Sequence, residues 1–402
     1  MKILLITEYF PPDQVGAATR VNVLAHSLKR KHQVCILTSS PHYPGRKSKV
    51  RWYHPVCVVT NQGIKIVRVW MPTFDVTSFF GRVVNYLYFS FFSILWFPLI
   101  GRNDLVWGTS PNVFTFIPTK IYSKLFKVPS ILNIDDLWPT APIELGFINN
   151  KSMQNISIKF ALASMYVVNG ISTISESLTR LVRILQPLIP VDTVYVGISN
   201  DRLNQLKLIN NLVKENDSDK IVFLYSGILG PAYDFEILID GFCKFSELHE
   251  NVELIIRGNG PEMKSIFTKL KSVNCPKIKL LVDYLTENEL NHLLMSCHVM
   301  ILPLKDNLIS RTAIPTKLIE YMATQKFILH IGKGQARSIV NRYGNGISTG
   351  YKIDEIVNAM KIAYLNTPKN FNSDFIELNF SEDIVLKQAE ELIKKVMQNY
   401  MN

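Results

Sequence analysis

Apolar residues along this chain come in short runs separated by stretches of helical spacing. KILLIT is the first run, and VNVLAHSLKR behind it carries its apolar residues at helix spacing. VCILTS, KIVRVW, DLVWGTSP, PSILNID, GISTIS and TVYV continue the series. Strands alternating with helices in this way imply a parallel sheet covered on both faces. Over residues 200–219, NDRLNQLKLINNLVKENDSD, the pattern lapses into Asn, Asp and Lys. It restarts at KIVFLYSGILG, with a helix through DFEILIDGFCKF and strands in VELIIRGNGPE, KIKLLVDYL, VMILPL and KFILHIG. EDIVLKQAEELIKKVMQNY has the spacing of an amphipathic closing helix.

The expected architecture is therefore α/β, two Rossmann-like domains in tandem. Residues 1–200 form the first, 201–385 the second, and 386–402 a closing helix. No short repeat is present, which excludes a solenoid. In open parallel sheets ligands sit beyond the carboxyl ends of the strands, so two such sheets facing each other would make a cleft lined by those loops.

Composition narrows the class. With 402 residues, 47% of them hydrophobic and 19% charged, the chain is globular and long enough for two cores. Forty-four Lys and Arg against 33 Asp and Glu give +11, which favours an anionic partner without choosing among phosphates, nucleic acid and acidic lipid. The basic residues are spread out and match no nucleic-acid module, so no nucleic-acid partner is expected. Cys35, Cys57, Cys243, Cys275 and Cys297 are scattered, an odd set without a C-x-x-C pair, as for reduced thiols in the cytosol. The N-terminal apolar run is too short for a signal-peptide core.

One stretch resists a purely soluble reading. VVNYLYFSFFSILWFPLIG, residues 83–101, carries no charge and approaches the length that spans a bilayer. Asn85, two serines and Pro98 interrupt it, so a span, an interfacial helix and a buried core helix all stay open. Upstream, GRKSKVRWYH, residues 45–54, mixes bases with aromatics; it is either a solvated loop or a patch facing a membrane leaflet.

Candidate chemistry lies in the loops after the strands. In EYFPPDQVGAATR, Gly16 with Ala17 and Ala18 admits close backbone approach, and the next helix offers its N-terminus to an anion; Arg20 follows one turn on. YSGILGPAYD places Gly227 and Gly230 at the matching point of the second half, without a Walker loop. IRGNGPEM has Met263 where a dinucleotide fingerprint needs Gly or Ala, which removes the best motif of a dehydrogenase; Arg257 there is either a phosphate contact or a surface charge. SRTAIPTKLIE is the densest signal. Pro315 suits a first helical turn, the helix dipole and backbone donors open toward an anion, Arg311 and Lys317 add charge, and Glu320 could accept from two ribose hydroxyls. An exposed ion pair between Lys317 and Glu320 is the ordinary alternative. Asp217 and Asp219 match a metal-holding D-x-D, yet sit in a polar junction. Asp135 and Asp136 follow a buried strand, and Asp136 either caps a helix or orients a substrate.

Taken in order, YSGILGPAYDFEILIDGF, IIRGNGPE, VDYLTENELNHLLMSCHVMILPL and IPTKLIEYMATQKFIL resemble the second domain of family-4 glycosyltransferases of the GT-B fold. EYFPPDQVGAATRVNVLAHSL, VCILTSSPHYP and DLVWGTSPNVFTFIPTKIYSKLFKVPSILNIDDLWP resemble their first domain. Within the family the chain is similar to N-acetylfucosamine-type transferases that build surface polysaccharides. The resemblance implies transfer of a sugar from a nucleotide diphosphate, with retention and without a metal or other cofactor. The donor is expected to be UDP-linked and the acceptor a glycan or a lipid-linked sugar, met in the cytoplasm at the inner face of the membrane through residues 45–54 and 83–101. It also implies that Glu320 holds the ribose, that Lys317 and Arg311 meet the diphosphate, that Gly16 lies near the phosphates, and that Tyr284 lies beside the base. Thr312 stands where many members carry a second glutamate, Ile228 where many carry an arginine, and Asn133 or Asp135 where a histidine is common. Gly227 and Arg257 join the donor-side set, Asp136 the catalytic set. A nucleotide-sugar 2-epimerase on the same architecture is the alternative.

Overall fold

The computed structural model describes residues 1–42, 50–72, 74, 79–136, 138–144, 148–212, 220–283, 285–367 and 374–401. The chain divides into two compact units, Met1–Ser199 with Phe380–Asn402, and Asn200–Asn379. It thus returns to the first unit a few residues before the expected boundary at 385.

Among the described residues, the first unit is built on eight strands: β1 (Lys2–Thr7), β2 (Gln33–Ser39), β3 (Val56–Asn61), β4 (Ile64–Val69), β5 (Leu105–Gly108), β6 (Ser130–Ile134), β7 (Gly170–Thr173) and β8 (Val191–Thr193). Their order is β3-β4-β2-β1-β5-β6-β7-β8, parallel except for the antiparallel edge pair β3–β4. The apolar pattern did not mark β3, whose side chains are largely exposed, and TVYV begins where β8 ends. The continuous run in β1 has a direct cause. Ile3 and Leu5 enter one buried cluster, with helix α1 (Gly16–Lys29) and the C-terminal helix Glu382–Met401. Leu4 and Ile6 point the other way, into a cluster with Phe89, Phe97 and Tyr122. A strand covered on both faces needs apolar residues at every position.

That second cluster shows what one side of the uncharged stretch packs against. Phe80–Ile100 is long and apolar enough to cross a membrane by length and composition. It folds as α2 (Phe79–Phe92), a 3-10 turn (Ser93–Trp96) and α3 (Phe97–Ile100). Asn85, Phe89, Ser90, Ser93, Phe97 and Ile100 are buried against the unit, so one side of the stretch is occupied by protein. Helix α4 (Phe116–Phe126) lies beside it.

Among the described residues, six parallel strands form the second unit's sheet: β9 (Ile221–Ser226), β10 (Val252–Arg257), β11 (Ile278–Leu281), β12 (Val299–Pro303), β13 (Phe327–Ile331) and β14 (Gly346–Thr349), in the order β11-β10-β9-β12-β13-β14. The polar stretch at the junction is not irregular throughout: Asn200–Leu212 is helix α5, with Leu203 and Leu206 buried. Two further helices concern the site, α6 (Leu308–Thr312) and α7 (Thr316–Ala323). Apart from the β3–β4 hairpin at the edge, the strand order reverses between β1 and β5 in the first sheet and between β9 and β12 in the second. In folds of this kind the loops beyond the carboxyl ends diverge at such a reversal, and ligands bind in the crevice between them.

Candidate functional site

In the second unit the loops after β9 and β12 bring Gly227 and Lys317 together. Tyr321, one turn after Lys317 on the same face of α7, accepts from Ser226 N–H (2.9 Å) and donates to Ser226 C=O (3.0 Å), which ties α7 to the end of β9. Lys317 Nζ donates to Tyr225 Oη (2.7 Å) and lies 4.1 Å from the ring centre of Tyr233. Its methylenes run past Gly227: a Cβ there would fall 1.8 Å from Lys317 Cε. Burial pushes the Lys317 ammonium down to about 7, against a smaller opposing pull from Glu320.

Pro315 is the N-cap of α7 and not its first-turn residue, and no side chain caps that helix end. Glu320 Oε1 is held by Arg202 Nε (3.1 Å) and Nη2 from α5, and Arg202 also donates to Asn291 and Gln205. Lys317 and Glu320 are thus drawn into separate contacts. Ser310 and Arg311 lie on α6 and not in an open loop. Arg311 Nε donates to Asp306 (2.6 Å), which Lys333 shares (2.9 Å); these hydrogen bonds hold the Asp306 carboxyl down at about 2. Thr312 Oγ1 donates to Leu308 C=O (2.9 Å), a bond within its own helix. Arg257 ends β10 beside Gly227, whose N–H bonds its carbonyl (2.9 Å). Tyr284, and Asp217 and Asp219, lie outside the described residues. No group of three or more His, Cys, Asp or Glu suited to a metal occurs among the described residues.

In the first unit Gly16 opens α1 behind Val15, and no side chain caps that end either. Arg20 is buried; its Nη1 lies 3.1 Å from Asp135 Oδ1, and Asn133 Nδ2 donates to the same oxygen (2.7 Å). Asp135 is thereby absorbed in a structural network. Asp136 lies instead on the wall of a pocket with Ser110, Asn112, Asn133 and Trp138. The residue keeps solvent contact while protein crowds its carboxyl, and this desolvation, with Asp135 adding to it, raises the carboxyl to about 6.

Sequence reasoning missed a second polar cluster at the ends of β1 and β5. Buried Glu8 faces His42, Oε1 to Nε2 3.5 Å, and accepts from Asn112 Nδ2 (2.8 Å). Burial raises the Glu8 carboxyl despite His42 and Asn112; for His42, burial pulls the other way but is outweighed by the hydrogen bond and charge of Glu8, which raise it. The available signal was that EYF and SPHYP each follow an apolar strand directly. Tyr225, Tyr233 and Arg202 had no such signal.

Comparison with known families matches residues 210–377 to Glycosyl transferases group 1. The second unit is a group 1 glycosyltransferase domain. With that domain the protein falls in the glycosyltransferase class of enzymes. Comparison with curated protein sequences gave no match. Among solved structures, sucrose-phosphate synthase from Thermosynechococcus elongatus superposes with a TM-score of 0.71 at 12% identity, over 99% of each chain. The catalytic domain of starch synthase IV from Arabidopsis thaliana, bound to ADP and acarbose, gives 0.69 at 13% identity over 100% of this chain and 99% of its own. Anabaena HepE, in complex with UDP and glucose, gives 0.66 at 13% over 98% and 99%. The fold of the whole chain is GT-B, two parallel-sheet α/β units of which the group 1 glycosyltransferase domain is the second.

Proposed function

We propose that this protein transfers a sugar from a UDP-linked donor, with retention, to a lipid-linked or glycan acceptor in surface-polysaccharide synthesis, as a family-4 transferase of the N-acetylfucosamine type. The observation that carries this reading is the convergence of Lys317, Gly227 and the uncapped N-terminus of α7 at the strand-order reversal of the group 1 glycosyltransferase domain. A helix N-terminus with an adjacent lysine stabilises the negative charge that grows on a departing diphosphate. The departing oxygen, on the face from which the acceptor hydroxyl arrives, takes that hydroxyl's proton, so the reaction asks for no strong protein base. Glu320 accepts from the ribose hydroxyls. Arg311, Thr312, Arg257, Tyr284 and Gly16 belong to the donor side in this proposal, and Asp136 orients the acceptor. The work is done in the cytoplasm at the inner membrane face and without a metal. ADP and UDP in the solved relatives support a nucleotide-sugar donor as a class. The comparisons lend nothing to a 2-epimerase.

A panel of nucleotides and nucleotide sugars, read by thermal shift and then by product analysis, tests the proposal. A UDP-sugar should raise the melting temperature, and Lys317→Ala should abolish turnover with the fold intact. Near-normal turnover of that variant would remove the proposed mechanism. Donor epimerised in the absence of any acceptor would replace the proposed activity.

A further inference from the structure

The side of the uncharged stretch that protein leaves uncovered is itself patterned. Phe91, Leu95 and Leu99, spaced four apart, are 57%, 65% and 44% exposed. On neighbouring α4, Ile121 and Leu125, also four apart, are 38% and 62% exposed, while Thr119, Tyr122 and Ser123 face inward. Two apolar stripes therefore lie on adjoining helices. Exposed leucine and phenylalanine in this concentration are costly in water and mark a contact surface.

The charges around the stripes have one sign. Lys120, Lys124 and Lys127 follow the α4 stripe, and Arg102 follows α3. Lys65 Nζ reaches Leu99 C=O (3.1 Å), which places another cation at the end of the first stripe. From residue 79 to 127 the sequence holds a single acidic residue, Asp104, and its carboxylate accepts from the Lys2 N–H (2.7 Å).

We infer that the α2–α4 face of the first unit docks on the surface of an anionic bilayer, with Phe91, Leu95, Leu99, Ile121 and Leu125 entering the headgroup boundary and the lysines and arginine meeting lipid phosphates. A helix docked by one face on a water-facing α/β unit offers only its other face to lipid, so it lies in the interface plane. The cationic rim favours a membrane over a second copy of this chain: an anionic leaflet meets cations with negative charge, whereas the copy would oppose cation to cation. This goes beyond the proposed transfer reaction, for it names which face meets the membrane and brings in α4, outside residues 83–101.

The test is vesicle flotation of the full chain, a readout that needs neither donor nor acceptor and so stands apart from the transferase proposal. Wild type should float with vesicles of phosphatidylcholine mixed with phosphatidylglycerol, less with phosphatidylcholine alone, and less again as salt is raised. Lys120→Gln/Lys124→Gln/Lys127→Gln should weaken partition by on the order of 100-fold, about fivefold for each lysine. Leu95→Glu/Leu125→Glu should abolish it with circular dichroism and melting temperature unchanged, since both residues are exposed. Failure of wild type to float with either vesicle, or flotation of the leucine variant at wild-type level, overturns the inference. A dimer that the leucine variant dissolves, in a protein that does not float, would make the face a self-association surface instead.

Discussion

Lys317→Met probes both the fold and the proposed chemistry. The lysine sits against Tyr225 and Tyr233, and burial lowers its ammonium from the ordinary 10.5 to about 7. The folded pKa lies below the unfolded one, so between about 7 and 10.5 the unfolded chain keeps a proton that the folded chain releases, and stability rises with pH across that window. Below it, the fold bears the full cost of a desolvated ammonium, on the order of 5 kcal/mol. Methionine removes that cost but loses the hydrogen bonds to Tyr225 and to Ile228 C=O and the cation–π contact, together roughly 3 kcal/mol. Urea denaturation should therefore find Lys317→Met more stable than wild type by roughly 2 kcal/mol near pH ~6, with the advantage shrinking to zero or below near pH ~10. A diphosphate should draw the proton back, so UDP binding near pH ~8 should take up close to one proton, measurable by calorimetry in buffers of different ionisation enthalpy. A stability difference that stays flat from acid to alkaline pH, or UDP binding without proton uptake, would refute the reasoning.

Three further outcomes follow from the geometry. Gly227→Ala should fold at a cost of about 1 kcal/mol for its φ of +144° and lose most activity, because its Cβ lands on the movable Lys317 side chain; Gly258→Ala should cost about 3 kcal/mol in denaturation, because at a similar φ of +145° its Cβ would lie 1.8 Å from the backbone oxygen of Gly227, which cannot move aside. With the Asp136 carboxyl near 6, kcat/KM should fall as pH drops through that value, and Asp136→Asn should lower it roughly 10²-fold and flatten that limb of the pH profile. Glu320→Gln should raise the donor KM by on the order of tenfold and Arg202→Ala by about fivefold, with kcat little changed; unaltered KM in both would end the ribose assignment.

Much of the architecture was legible in the chain because each strand reports its own burial. The apolar runs KILLIT and VMILPL are strands pressed on both faces, and that requirement is local. β3 escaped because an exposed edge strand need not be apolar, and α5 because its buried leucines are few among polar residues. At the site, Gly227 and Lys317 could be nominated from motif position, but Tyr225 and Tyr233 as the lysine's seat could not. Asp135 and Asp136 are adjacent and chemically alike; only the buried Arg20 separates a structural carboxylate from one left on a pocket wall.

By itself, the sequence determined two α/β halves, the loops in which chemistry would fall and the basic balance of the chain, since periodicity and composition act over a few residues. Tertiary structure decided which loops meet, through the strand-order reversals at β1/β5 and β9/β12, and which side of Phe80–Ile100 is covered. Glu8 with His42 and Arg202 with Glu320 are pairs of this second kind. Their members lie far apart along the chain, and only the packing of the sheet brings them within hydrogen-bond or ion-pair reach, so no local pattern could announce them.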